Sequence, residues 1–138
     1  MGLLDDMVSG YVDAQLWTHH DEFRPSCDCH QGNPQDACHY SMLDERFDAS
    51  DLDSSYVSAL REEFSELLQV HPLAVRMWVS RYGATDFGHN YLLNRERVGA
   101  GFWDRGAGEL GDYLADIARH AGSASHLWDN GSGVLVAA

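Results

Sequence analysis

Apolar residues fall three and four apart over residues 3–18, where Leu3, Leu4, Met7, Val8, Tyr11, Val12, Ala14, Leu16 and Trp17 trace one stripe. That is the period of an amphipathic helix. Gly10 is its one weak point, because glycine costs a helix interior about 1 kcal/mol against alanine. From His19 to Ala49 the pattern dissolves: Pro25, Gly32, Asn33-Pro34 and many polar residues read as a long irregular loop. A loop of this length in a small domain calls for a function or a local staple. Ser50 followed by Asp53 has the form of a capping signal. The stripe Leu52, Tyr56, Leu60, Phe64, Leu67 and Leu68 then predicts a helix over 51–69, with Arg61, Glu62, Glu63 and Glu66 outward.

Pro72 suits the first turn of a further helix and Gly83 its end. Between them Leu73, Val75, Met77, Trp78, Val79 and Tyr82 are too apolar for an exposed element. Thr85 is placed to cap a helix through Phe87, Tyr91, Leu92 and Leu93 to about Arg97. A glycine-dense turn follows over 99–108, and Leu110, Tyr113, Leu114, Ile117, Ala118 and Ala121 define another helix ended by Gly122. The tail reads as a hairpin, Ser125–Trp128 and Gly133–Ala137 about an Asn130-Gly131 turn. The expected fold is α+β, mostly α: four or five helices, a small C-terminal β-hairpin and one long irregular loop at about 19–49. With no internal repeat and no linker, residues 1–138 read as a single domain.

Charge divides that domain. All nine basic residues are arginines, against 22 acids, for a net charge of -13. Residues 1–69 hold 15 of the acids and three arginines, a balance of -12, whereas residues 70–138 hold seven acids and six arginines. Such a surface repels phosphate backbones, which excludes direct nucleic-acid binding by the molecule as a whole. The densest run is Asp44, Glu45, Asp48, Asp51 and Asp53, five acids in ten residues. A row of carboxylates imitates DNA phosphates and fits a basic groove on a nucleic-acid-handling protein. The plainer reading is a solvated face. No apolar run reaches the length of a membrane span, and the acidic Met1–Asp6 start lacks a signal peptide's apolar core, which points to a chain that is not secreted.

Two side-chain groups invite chemistry. Cys27, Cys29 and Cys38, with His30 and His39 beside them, supply the thiolates and imidazoles that tetrahedral zinc prefers. A zinc held by Cys27, Cys29, Cys38 and His39 explains how the long loop folds. Against it, Cys-x-Cys is tighter than a usual knuckle, and a loop with free thiols and no cofactor is the alternative. The second group is Gly88-His89-Asn90-Tyr91-Leu92-Leu93-Asn94-Arg95 with the turn Gly99-Ala100-Gly101-Phe102-Trp103-Asp104-Arg105-Gly106. His89, Asn94, Arg95, Trp103 and Asp104 make a possible polar pocket with an aromatic wall. The competing reading has Asp104 capping a helix or pairing with Arg95, and Phe102 and Trp103 filling the core.

The run G-H-N-Y-L-L-N-R-x₃-G-A-G-F-W-D-R-G resembles the motif G-H-D-F-W-L-T-R-N-x-H-G-A-G-F-W-D-R-G of a family of small phage proteins of uncharacterised function. The resemblance covers residues 86–136. It implies a phage origin and life in the cytoplasm of a bacterial host. Asn90 stands where that family often has Asp, and Val98 where it often has His, so an acid–base or metal pair built there is lost in this chain. Nothing before Pro72 matches the motif.

No G-x-S-x-G, H-E-x-x-H or G-x₄-G-K-[ST] occurs, and without lysine there is neither a Schiff base nor a P-loop lysine. The expectation is therefore a non-enzymatic accessory protein. It binds a host protein with a basic nucleic-acid-binding groove through the acidic run, and so inhibits a nucleic-acid-handling or defence factor. The alternative is a zinc-stabilised adaptor or small metal-dependent enzyme using the Cys/His loop. A structural or assembly protein of the virion is a third.

Overall fold

The computed structural model describes residues 2–19, 42–45, 47–97 and 101–137. The fold is α+β and mostly α, with five α-helices and a two-stranded antiparallel hairpin among the described residues. The helices are α1 (Leu3–Thr18), α2 (Ser54–Val70), α3 (Pro72–Tyr82), α4 (Ala84–Glu96) and α5 (Glu109–His120). The hairpin pairs β1 (Leu127–Asp129) with β2 (Leu135–Ala137). None of the described helices is long and apolar enough to cross a membrane.

Helices α1 and α4 form the centre. Each is buried around much of its circumference: Met7, Val8, Gly10, Tyr11, Val12, Ala14, Gln15 and Leu16 on α1, Phe87, Gly88 and Asn90 through Asn94 on α4. Burial on all sides is the mark of an interior helix rather than a surface one. Their backbones touch where they cross. A Cβ on Gly10 would lie 1.9 Å from the Thr85 carbonyl oxygen, and one on Gly88 would lie 1.8 Å from the Met7 carbonyl oxygen. Glycine is thus what allows the approach, and the apparent weak point of α1 is one of its two closest contacts with α4.

Helices α2, α3 and α5 cover this centre with narrower stripes. Tyr56, Leu60 and Phe64 face inward from α2, Val75 and Trp78 from α3, and Gly111, Leu114, Ala115 and Ala118 from α5. Rings interlock between the layers: Phe64 meets Tyr91 at 5.3 Å, and Phe102 sits 4.9 Å from Trp78 and 5.1 Å from Phe87. Edge and tilted contacts of this kind add to the burial of the rings themselves. The hairpin is tied to the start of α2, where the Asp53 N–H donates to the Leu135 carbonyl at 2.8 Å.

Several local expectations are corrected. Helix α2 begins at Ser54 after Asp53, not after Ser50, because Asp48 caps a separate one-turn helix at Ala49–Asp51. Gly83, not Thr85, precedes α4. The hairpin loop spans Asn130 to Val134, closed by an Asn130 N–H to Val134 carbonyl bond of 3.0 Å, so it is wider than a two-residue turn. Part of the stretch expected to be irregular is ordered: Leu43–Glu45 and Ala49–Asp51 are one-turn 3₁₀ helices, and Leu43 and Phe47 are core residues. On α3 only Val75 and Trp78 are buried, while Leu73 and Met77 stand exposed.

Candidate functional site

The acidic run is carried on a path pinned to the core. The Leu43 N–H donates to the His19 carbonyl at 2.9 Å, at the end of α1, and the Phe47 N–H donates to the Leu43 carbonyl at 2.8 Å. Buried Leu43, Phe47 and Leu52 alternate with the acids, whose hydrophilic groups are thereby turned outward. Asp44 and Glu45 are exposed on the first turn. Asp48 accepts the Ser50 N–H at 2.9 Å, and its own N–H donates to the Asp51 carboxylate at 2.9 Å, a reciprocal capping box. The Ser55 hydroxyl donates to Asp53. Three of the five carboxylates are therefore fixed by local hydrogen bonds. The Ser50 hydroxyl, then its N–H, hold the Asp48 carboxyl below its ordinary value of 3.8, because both donate to the ionised form.

The residues of the expected aromatic-walled pocket take separate places. His89 lies beside Trp17, ring centroids 6.2 Å apart, in a shallow recess with Asp13, Leu16 and Asp44. Asn94 is buried, and its side-chain oxygen accepts the Phe102 N–H at 2.7 Å, latching the turn to α4. Phe102 fills the core, whereas Trp103 and Asp104 are exposed on the one-turn helix Phe102–Asp104. Trp103 is therefore not a core ring. Arg95 pairs with Glu63 rather than Asp104.

Arg95 is the hub of a network that joins three helices. Its Nη1 lies 2.9 Å from Glu63 Oε2 and 3.1 Å from the Tyr11 hydroxyl, and its Nε donates to the Gly122 carbonyl at 2.7 Å. The Tyr91 hydroxyl donates to the same Glu63 oxygen at 2.8 Å. Nearby, the Tyr56 hydroxyl donates to Gln15 at 2.6 Å, and the Gln15 amide donates to the Ser125 carbonyl at 2.8 Å. Burial pushes the Tyr11 and Tyr91 phenols far up and the Tyr56 phenol up to about 12. The neutral Tyr56 and Tyr91 hydroxyls serve as fixed donors, and the Tyr11 hydroxyl as an acceptor for Arg95. Glu63, expected to face outward, is thus a partner of the interior; its cation stands 32 residues along the chain, beyond any local pattern.

Glu63 and Tyr91 also line a groove of about 540 Å³ between α2 and α5, with Glu66, His71, Tyr113, Asp116 and His120. At the His71 ring and the Tyr113 hydroxyl, 2.7 Å apart, it adjoins a second groove of about 460 Å³ between α3 and α5 that these residues also line. The sequence signal for this surface lies in Leu73 and Met77, whose apolarity by itself suggests burial.

Cys27, Cys29, Cys38 and His39 lie outside the described residues. Among the described residues, no group of three or more His, Cys, Asp or Glu side chains is placed to hold a metal ion. Compared with known protein families, curated proteins and solved structures, the chain matches none.

Proposed function

We propose that the chain is an accessory protein that acts by binding a basic partner protein through the anchored acidic segment, in the manner of a DNA mimic. The observation that carries this reading is the fixing of Asp48, Asp51 and Asp53 by local hydrogen bonds, beside exposed Asp44 and Glu45. Carboxylates held in place bind a cationic groove at a smaller entropic cost than mobile ones. Three arginines of the fold are committed elsewhere: Arg61, Arg95 and Arg105 pair with Asp5, Glu63 and Asp86. The partner class that complements this surface is a protein whose own ligand is a phosphate backbone. The resemblance of residues 86–136 to small phage proteins supports a partner in the cytoplasm of a bacterial host, a nucleic-acid-handling or defence factor that the chain inhibits.

The test is capture of partner from bacterial lysate by the native chain and by a variant with Asp44, Asp48, Asp51 and Asp53 changed to Asn and Glu45 to Gln. Asparagine keeps the capping acceptors while removing charge. The reading requires that the partner be lost with the variant and displaced from the native chain by duplex DNA. Equal capture by both chains, or indifference to DNA, contradicts it.

A further inference from the structure

Seven large hydrophobic side chains stand exposed among the described residues, and four of them, Val70, Leu73, Met77 and Tyr113, line one groove. Leu73 and Met77 are four residues apart on α3 and are 73% and 50% exposed; Val70 ends α2, and Tyr113 comes from α5. Single exposed apolar residues need no explanation, whereas a contiguous group marks a contact surface. At the His71–Tyr113 contact this apolar groove meets the one between α2 and α5, whose walls carry Glu66 and Asp116. The two share Val70, His71 and Tyr113 and so form one composite channel with an apolar end and an acidic end.

We propose that this channel docks an amphipathic helix of a partner protein, its apolar face on Leu73 and Met77 and its lysine or arginine side chains at Glu66 and Asp116. Grooves flanked by helices take a helical ligand by its side-chain anchors at intervals of three and four. Charge selects a cationic partner: Glu63 is already paired with Arg95, and Glu66 and Asp116, unpaired among the described residues, add negative charge to the wall. A second copy of the same chain would set like charge against like, which disfavours self-association on this face. None of the five acids between Asp44 and Asp53 lines the channel, so this surface is independent of the acidic segment.

The probe is a synthetic leucine/lysine amphipathic peptide of about four helical turns, with a leucine/glutamate counterpart, titrated calorimetrically against the full chain. The lysine peptide binds the native chain and the glutamate peptide does not. Affinity for the lysine peptide falls about tenfold or more with Leu73→Ser/Met77→Ser and with Glu66→Gln/Asp116→Asn. It changes less than about twofold when the acids from Asp44 to Asp53 are neutralised, which separates this proposal from the preceding one. All substituted positions are exposed or line the groove, and equal melting temperatures check that the variants fold. Absence of binding, equal binding of both peptides, or loss only with the Asp44–Asp53 variant overturns the proposal. So does a monomer–dimer equilibrium in sedimentation that Leu73→Ser/Met77→Ser abolishes.

Discussion

Gly10 of α1 and Thr85 of α4 meet backbone to backbone, so that a Cβ on Gly10 would fall 1.9 Å from the Thr85 carbonyl oxygen. Gly88 repeats the relationship against Met7 in the opposite sense. Gly10→Ala is therefore expected to destabilise the protein by about 3 kcal/mol or more, despite alanine's better helix propensity, because backbone atoms must separate to admit the methyl group. Gly88→Ala behaves alike. Urea unfolding of each variant measures this, and a stabilising or neutral alanine would show that the crossing is looser than described.

The Glu63–Arg95 pair makes a second prediction. The two side chains are 31% and 13% exposed, so solvent screens them only in part. Glu63→Gln keeps one acceptor but leaves the guanidinium without its counter-charge, and costs about 1–3 kcal/mol. In a double-mutant cycle with Arg95→Met the two losses are less than additive, with a coupling of about 1 kcal/mol or more. Additive losses would mean that the pair contributes nothing as a pair.

Three phenols should resist alkali. Tyr11, Tyr56 and Tyr91 have folded-state pKa values raised above the ordinary 10.0, with burial the largest cause in each. The neutral form is then preferred in the folded chain. Its contribution to stability is complete below pH 10 and is lost as pH rises above that value, where the unfolded chain ionises and the folded one does not. Ultraviolet titration should show these three ionising only with cooperative unfolding. Non-cooperative ionisation near pH 10 of all six tyrosines in the chain would contradict their burial.

Asp48 works in the other direction. With its folded pKa held below 3.8 by Ser50, it favours the folded state above that pH and ceases to do so as pH falls through its folded value. Ser50→Ala should move the Asp48 carboxyl toward 3.8, as followed by carboxyl-carbon NMR. No movement would show that the Ser50 hydroxyl does not hold the charge.

These positions also show what the sequence carried. Apolar periodicity located α1, α2 and α5, start and stop residues with apolar content located α3 and α4, and the hairpin followed from its apolar strands and glycine turn. Gly10 looks weak in the sequence because propensity is a property of an isolated helix, whereas its role comes from a neighbour 75 residues away. Leu43 and Phe47 are single apolar residues in a polar stretch, too few to make a period, and they anchor the acidic segment by tertiary contact alone. Leu73 and Met77 suggest interior positions by their apolarity, which does not state which face of α3 meets the core. Of the candidate sites, the acidic run was legible in composition. The Glu63–Arg95 network and the composite channel were not, since both join residues that no local spacing connects.

Binding through fixed carboxylates is the centre of this account, and the salt dependence of the partner's affinity tests it most directly. Between about 50 mM and about 200 mM salt, affinity of the captured partner should fall about a hundredfold for the native chain. For the chain neutralised at Asp44, Glu45, Asp48, Asp51 and Asp53 it should be weaker at low salt and change less than about threefold over the same range. Identical salt slopes for the two chains would contradict the claim that these carboxylates make the contact.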